Sequence, residues 1–147
     1  MELSRYRFRS VWTLPVSRDA VYDVVADLGA YPQWWPQVRT VERIDESTAA
    51  LVCRSWLPYD LRFRASAVRE DREAGILEAT LTGDLEGWSR WTLTAHRAGT
   101  SLRYEQEVVT RAALLRRLAP IARPAMRLNH AVMMRACRRG LASRLAS

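Results

Sequence analysis

The first candidate for chemistry is an asparagine on an apolar helix face close to the C-terminal end of the sequence. At about 100° per residue, Asn129 falls among alanine, valine and methionine side chains. An unpaired buried amide costs about 1–3 kcal/mol, so Asn129 needs a hydrogen-bond partner. Gln106, Tyr104, an ordered water or a ligand could provide one; the alternative is a core asparagine that fixes the helix register. His130 lies at the flank of this face, where a histidine is more often a hydrogen-bonding residue than a base.

A second candidate is an arginine in a segment that alternates like a strand. Arg54 shares one side of the segment 49–57 with Val52 and Trp56, whereas Leu51 and Cys53 share the other. If Arg54 points inward, its guanidinium could hold a carboxylate or polarise a carbonyl. The outward orientation is favoured, because a buried arginine needs a partner and the sequence identifies none.

Aromatic side chains are the third signal, since the chain has six Trp and five Tyr residues. One tight core of this size does not accommodate them all, so we expect some to line a pocket for flat or alicyclic ligands. The alternative is that individual tryptophans stiffen the sheet and anchor the short helices. The side chains that we expect to line the cavity are Trp34, Trp35, Arg54, Trp56, Phe63, Trp91, Tyr104, Gln106, Asn129 and Met133.

Recognised catalytic and cofactor motifs are absent from the sequence. The two His and two Cys residues lack the spacing of a metal site, and both cysteines have apolar neighbours typical of buried thiols. Glycine-rich nucleotide loops and the GxSxG nucleophile motif are also missing. We therefore expect no metal and no cofactor, and the catalytic residues stay unassigned. Isolated Tyr, Asn, His or Arg side chains could still act as acid, base or carbonyl polariser in a closed pocket.

The elements that position these residues begin with a strand and a helical pair. Residues 5–14 alternate and predict a half-buried strand. Ser17 is typical of an N-cap, and the helix that follows is expected to end before Gly29, a natural C′ residue. The aromatic, proline-bounded segment 31–36 predicts a short helical turn that packs against the sheet.

Hairpins and one long helix follow. The period of two predicts strands over 37–46, 49–57, 60–71, 75–83, 87–97 and 100–110, and in the last of these Tyr104 and Gln106 point inward. A helix is predicted over about 120–145, with Pro120 in its first turn and Pro124 either marking the true start or producing a kink. The chain length suits one domain over residues 1–147. This order predicts an α+β helix-grip fold: a seven-stranded bent antiparallel sheet around the long C-terminal helix, with two short helices after strand 1.

The long helix has two different faces. Arginines cluster on one of them: Arg116, Arg123, Arg127 and Arg138, with Arg117 and Arg135 beside them. The opposite face, predicted to contact the sheet, holds Leu118, Ala122, Ala125, Asn129, Val132, Met133, Ala136 and Gly140. Small residues fill a face poorly, so this pattern predicts space between helix and sheet.

Charge is distributed unevenly along the chain. The net charge is +7, and residues 111–147 contain nine Arg and no Asp or Glu. A charge run of this kind is usually a solvated face, so we expect no nucleic-acid partner and at most weak contact with an anionic membrane. No apolar stretch is long enough to span a membrane and the first residues are not of secretory type, which predicts a cytoplasmic protein. Monomer and homodimer both stay open.

Several segments together resemble a known superfamily. They are Val21–Leu28, Tyr31–Pro36, Trp56–Tyr59, Gly83–Gly87, Trp91–Leu93, Gly99–Tyr104 and Leu128–His130 followed by Met133. The chain resembles the START-like (SRPBCC) superfamily, and within it the polyketide cyclase/dehydrase and lipid-transport branch. The resemblance implies a hydrophobic cavity under the long helix. It also implies two functions: a carrier or binding protein for a lipid-like, polyketide-like or aromatic molecule, or alternatively an aromatase/cyclase or dehydratase.

In aromatase/cyclase members, pocket aromatics and an Arg or Tyr orient a poly-β-ketone chain and assist its aldol closure. The residues of this sequence that the resemblance offers for such a role are Arg54, Trp56, Tyr104 and Asn129. Whether the protein is an enzyme therefore stays open at this level.

Overall fold

The computed structural model describes residues 5–54, 60–110 and 119–146 of the chain. The first elements are β1 (Arg5–Leu14), α1 (Arg18–Ala26), a 3₁₀ turn (Leu28–Ala30) and α2 (Tyr31–Trp34). Six strands follow, namely β2 (Val38–Arg43), β3 (Thr48–Arg54), β4 (Asp60–Asp71), β5 (Ile76–Gly83), β6 (Leu85–His96) and β7 (Gly99–Thr110). The long helix α3 (Ala119–Ala146) is the last described element.

The seven strands form one antiparallel sheet in the order β1-β7-β6-β5-β4-β3-β2. Strands β2 to β7 pair with their sequence neighbours, and β1 pairs with β7 from Arg5 opposite Val109 to Leu14 opposite Thr100. The predicted α+β helix-grip fold, with its seven strands, two short helices and long C-terminal helix, is confirmed. Predicted strand bounds differ by a few residues from the observed ones.

The concave face of the sheet holds the core. In β7, Tyr104 and Gln106 are buried, whereas Arg103, which precedes Tyr104, is exposed. This is the alternation that the sequence predicts. A β-bulge between Ala67 and Arg69 breaks this regularity in β4. Bulges bend a strand and increase its twist, which helps the sheet curve around α3.

Helix α1 begins as predicted but ends differently. The Ser17 hydroxyl oxygen accepts a hydrogen bond from the Ala20 amide at 3.3 Å, which satisfies one free N–H of the first turn. The prediction that Gly29 is the C′ residue is wrong, because the helix ends at Ala26 and Asp27 is its C-cap. Gly29 lies inside the 3₁₀ turn, which passes directly into α2, so the chain continues in right-handed turns rather than reversing there.

Helix α3 contacts the sheet through a stripe that is rotated from the predicted one. The buried side chains among its described residues are Asn129, Met134, Cys137 and Leu141. Asn129 faces inward as expected, but Val132 is 46% exposed, which corrects the prediction for that residue. Burial of methionine, cysteine and leucine removes more apolar surface from water than burial of the alanine-rich face would.

Two further details of α3 differ from expectation. Within the described residues the helix begins at Ala119, which puts Pro120 in its first turn as predicted, and Pro124 lies inside the helix rather than at its start. Gly140 does not leave space, because a Cβ added there would overlap the carbonyl oxygen of Trp34. The glycine instead allows α2 to pack directly on the backbone of α3.

Candidate functional site

A cavity of about 210 Å³ lies between the concave face of the sheet, the α1–α2 segment and α3. About 10–15 Å³ suffices for one water molecule, so the cavity has room for a small organic molecule. Most of its described wall is aliphatic or aromatic, including Phe8, Val25, Leu51, Leu61, Leu77, Leu81, Leu85 and Val108. The candidate site is therefore a mainly apolar chamber under the long helix.

Most of the predicted cavity residues that the structure describes lie in this wall. They are Trp35, Phe63, Trp91, Tyr104, Gln106, Asn129 and Met133. Trp34 is buried but lies behind the wall, where its ring stacks on Trp35 with 5.9 Å between centroids. Trp56 lies outside the described residues.

Arg54 does not line the cavity, which corrects its place among the candidates. Leu51 and Cys53 are the buried residues of β3, and the alternation of the strand therefore turns Arg54 outward, where it is exposed. The inward orientation would have required a buried cation without a countercharge. The outward alternative that the sequence favoured is the one observed.

Trp35 connects the wall of the cavity to α3. Its indole N–H donates a hydrogen bond to the Met133 carbonyl oxygen at 3.1 Å. Behind it, the Tyr31 hydroxyl donates to the Val25 carbonyl oxygen. Burial raises the pKa of Tyr31, and a hydrogen bond from Trp91 only partly opposes this, so Tyr31 stays a neutral structural group. The Trp35 bond therefore ties α3 to the end of α2, and the Tyr31 bond ties α2 to α1.

The polar part of the wall is centred on Tyr104. Its hydroxyl donates to the Gln106 side-chain oxygen at 2.6 Å. Burial raises its pKa, and a side-chain hydrogen bond with Ser89 lowers it only partly, so Tyr104 keeps its proton at neutral pH. Ser89 is directly opposite Gln106 in the β6–β7 pairing. The sheet thus presents a hydrogen-bonded polar group inside an apolar surface.

Asn129 faces this group from α3 and is 4% exposed. Its amide nitrogen lies 3.5 Å from the Met133 sulfur, one helical turn further along. The sequence offered Gln106 and Tyr104 as partners, and these two are bonded to each other. Asn129 lines the cavity from α3 and so adds a second polar position on the wall opposite the sheet.

His130 is a wall residue that the sequence did not place among the cavity candidates. Its ring stacks on Phe8, with centroids 3.7 Å apart and an angle of 8° between the planes. Burial lowers its pKa to about 4, so the imidazole is neutral at pH 7. Its position beside Asn129, together with the inward phase of Phe8 in the first strand, was the signal that could have identified it.

Most of the chain matches the profile of one known protein family. Residues 14–130 match the sequence profile of the family described as polyketide cyclase/dehydrase and lipid transport. The chain belongs to this family. No curated protein matches the chain.

Solved structures show the same fold. The Zhui aromatase/cyclase from Streptomyces sp. R1128 is 17% identical, with a TM-score of 0.79 over 97% of this chain and 94% of that one. A START superfamily protein from Mycobacterium smegmatis is 15% identical, with a TM-score of 0.73 over 97% of both chains. The chain also matches 51% of the di-domain ARO/CYC BexL at 16% identity, with a TM-score of 0.76 over 99% of this chain. At these identities the likeness establishes the START-like helix-grip fold.

In this polyketide cyclase/dehydrase and lipid-transport family member, the cysteines are not ionised. Cys53 lines the cavity, and burial raises its pKa to about 12. Burial also raises the pKa of Cys137, which is fully buried on the inner face of α3. A thiolate is the nucleophilic form of cysteine, so neither thiol is poised for covalent chemistry at neutral pH.

Charged groups of this family member lie at the solvent end of the cavity. Arg43, Glu46, Arg69 and Glu70 contact the cavity, and all four are exposed. Glu78 also contacts it; this residue is half-buried, and its carboxylate is paired with Arg90 at 3.0 Å. No group of His, Cys, Asp or Glu side chains among the described residues is arranged to hold a metal ion. None of the described helices is long and apolar enough to cross a membrane.

Proposed function

We propose that this protein binds a largely apolar small molecule between the sheet and α3, as a carrier or binding protein. The observation that carries the proposal is the cavity of about 210 Å³ with its mainly aliphatic and aromatic wall. Each Å² of apolar surface that a ligand buries there contributes about 25 cal/mol. The neutral thiols and the low pKa of His130 support binding rather than nucleophilic chemistry.

Ligand retention in the purified protein tests this proposal directly. We expect native mass spectrometry of protein from its own host to show an additional mass that denaturation releases. Extraction and identification of that molecule would give its class. Protein that carries no molecule, and that binds none of a panel of lipids, polyketides and aromatic compounds, would contradict the proposal.

A cavity-filling variant provides the matched test. Ala79 lines the cavity from β5, so Ala79→Phe places a phenyl ring in the binding space. The neighbouring residue Thr80 is exposed, and Thr80→Phe adds the same ring on the outer surface. We expect Ala79→Phe to lose the bound molecule while Thr80→Phe keeps it, with both variants folded by circular dichroism.

The alternative function is a polyketide aromatase/cyclase or dehydratase in the same cavity. Its specific support is that Tyr104 from the sheet and Asn129 and His130 from α3 converge on one space. A protonated Tyr104 suits donation to a ketone oxygen. The neutral imidazole of His130 would accept the proton of the attacking carbon, and its pKa of about 4 makes it a weak base. Aldol closure would then form a carbon–carbon bond without change of mass, and dehydration would release water.

Product analysis separates the two functions. An enzyme converts a poly-β-ketone thioester into a ring product that is isomeric or one water lighter, and Tyr104→Phe or His130→Gln suppresses that conversion. A carrier returns the same compound unchanged after extraction. Recovery of unchanged compound from protein that demonstrably binds it would remove the enzyme alternative for that substrate class.

We also propose a weak contact with anionic membranes through the outer face of α3. This outer face consists of Arg127, Leu128, Val132, Arg135, Arg138 and Arg139, all of which are exposed. Its arginines form no salt bridge with any described residue, whereas several sheet arginines pair with carboxylates, as Arg90 does with Glu78. Anionic headgroups attract each surface arginine by about 1 kcal/mol, and the two aliphatic side chains suit the interface.

We further propose that residues 1–147 form one domain. The proposal also includes a cytoplasmic location and a monomeric or homodimeric state. The continuous sheet from β1 to β2, with α3 packed on its concave face, supports a single folding unit. Size-exclusion chromatography with light scattering would determine the oligomeric state, and a stable species larger than a dimer would contradict it.

A further inference from the structure

The polar groups deep in the cavity are uncharged and surround one phenyl ring. Gln106 is directly opposite Phe8 in the β1–β7 pairing. His130 stacks on the same ring from α3 at 3.7 Å, and the ring centroid of Tyr104 is 6.3 Å from that of His130. Gln106 and His130 are therefore neighbours of Phe8 from two different elements, and both line the cavity.

These two residues retain hydrogen-bonding capacity for a ligand. The Gln106 side-chain oxygen accepts from Tyr104, and its amide nitrogen donates to no described residue. In either orientation of the amide, one of its two polar atoms is left for a ligand. The neutral imidazole of His130 offers one donor and one acceptor, and neither nitrogen is bonded to a described side chain or carbonyl.

Among residues 5–54, 60–110 and 127–146, no positively charged side chain reaches the deep part of the cavity, where it could pair with a buried anion. Arg43 and Arg69 reach only its solvent end, and both are already engaged. Arg43 donates to the carbonyl oxygens of Asp45 and Glu46, and Arg69 forms a salt bridge with Asp71 at 3.2 Å. Arg54 points to solvent.

We propose that the cavity selects uncharged ligands that carry a hydroxyl or carbonyl oxygen, and that Gln106 and His130 hold this oxygen beside Phe8. This inference rests on the proposed ligand-binding function and adds the chemical class of the ligand. A hydroxyl group can donate to one of the two residues and accept from the other. A carboxylate at the same place would lose its hydration without gaining a countercharge, which is strongly unfavourable.

Three probes with the same ring system test this selectivity: naphthalene, naphthylmethanol and naphthoate. Their binding is measured by isothermal titration calorimetry at pH 8, where naphthoate is ionised. We expect naphthylmethanol to bind more tightly than naphthalene, and naphthoate to bind at least about tenfold more weakly than naphthylmethanol. Naphthoate should gain affinity at pH 6, because a ligand that binds in its protonated form becomes more abundant as pH falls.

The variant Gln106→Leu identifies the position of the oxygen. We expect it to remove the advantage of naphthylmethanol over naphthalene while leaving naphthalene binding within about threefold of the unmodified protein, a difference below 1 kcal/mol. Naphthalene is the internal control, because a misfolded variant would lose both ligands. His130→Phe keeps the stacking on Phe8 and should reduce the same advantage.

The outcomes distinguish the two levels of the proposal. Equal or tighter binding of naphthoate at pH 8 would overturn the selectivity and leave the ligand-binding function intact. A Gln106→Leu protein that still prefers naphthylmethanol would overturn the assigned position. Failure of all three probes and of the host-derived ligand test would overturn the binding function, and the selectivity with it.

Discussion

Phe8 occupies the point where the sheet and the long helix meet around the cavity. His130 lies flat on its ring at 3.7 Å, and Gln106 is its cross-strand neighbour. An aromatic face excludes water from the imidazole, and burial accordingly lowers the pKa of His130 to about 4. The neutral state of this histidine is thus a consequence of packing rather than of a charged partner.

The first prediction concerns how His130 changes the free energy of unfolding as pH falls. Its pKa is about 4 in the folded protein against 6.5 in the unfolded chain, so the unfolded state binds a proton first as pH falls. The contribution of His130 to the free energy of unfolding is therefore constant above pH 6.5 and decreases between pH 6.5 and about 4. His130→Phe should lose less stability between pH 7 and pH 5 than the unmodified protein in urea denaturation.

A control is available in the second histidine. His96 is exposed at the end of β6, and His96→Gln should retain the acid sensitivity of the unmodified protein. Carboxylates with lowered pKa values, such as Asp45 and Asp71, also reduce the free energy of unfolding as pH falls. This effect is the same in every variant. Identical pH dependence of His130→Phe and the unmodified protein would contradict the assignment.

The contact between α2 and α3 gives the second prediction, at the scale of elements. A Cβ at position 140 would overlap the Trp34 carbonyl oxygen, so Gly140→Ala must separate the helices. We expect a loss of about 1–3 kcal/mol in the free energy of unfolding, as is usual for overpacking. This outweighs the gain of about 1 kcal/mol that alanine brings to a helix interior.

Gly29 provides the matched control for that substitution. Its φ is not positive, and a Cβ there would meet only the Asp27 carboxylate at 3.8 Å. Gly29→Ala should therefore be neutral or slightly stabilising in the same chemical denaturation experiment. A stabilised Gly140→Ala protein would show that the two helices are not in direct backbone contact.

The third prediction concerns the outer face of α3. Arg135→Glu combined with Arg139→Glu should reduce sedimentation with vesicles of phosphatidylserine and phosphatidylcholine at low salt. Binding of the unmodified protein should fall as salt increases, because exposed charges are screened. No sedimentation of the unmodified protein at any salt concentration would remove the proposal.

Two exposed arginines of β4 give a control with the same change in net charge. Arg62 and Arg64 lie on the outer surface of the sheet, opposite Val52 and Ala50 of β3. Arg62→Glu combined with Arg64→Glu should leave vesicle binding largely unchanged. Equal losses in both double variants would indicate attraction by overall charge rather than docking of α3.

At the scale of the whole molecule, the cavity couples ligand binding to stability. A ligand that binds only the folded state adds about 2.7 kcal/mol at one hundred times its Kd. The fourth prediction is that naphthylmethanol raises the thermal unfolding midpoint of the unmodified protein and of Thr80→Phe in scanning calorimetry. It should not raise the midpoint of Ala79→Phe, whose cavity is filled.

Much of this architecture follows from the sequence alone. The alternation of β7, the Ser17 cap and the change from period two to period 3.6 identify the elements, because each depends on local backbone geometry. Their order then leaves few ways to bury the apolar faces, which predicts the helix-grip fold. The excess of arginine on the C-terminal helix is likewise a property of composition.

The tertiary structure alone decided which side chains meet. The sequence left two orientations for Arg54, and the burial of Leu51 and Cys53 across β3 selected the outward one. It placed Val132 inward, but the rotation of α3 buries Met134 and Leu141 instead. Small differences in packing free energy decide which face of a helix or strand is buried. Local periodicity in the sequence does not predict these differences.

The site itself shows the same division. Asn129, Tyr104 and Gln106 were identified from single positions, since buried polar residues stand out against an apolar pattern. The stacking of His130 on Phe8 joins residues more than one hundred positions apart, and only the closed fold creates it. Sequence therefore determined that a cavity under α3 exists, whereas tertiary contacts determined that its deep polar groups are neutral, because burial sets their ionisation.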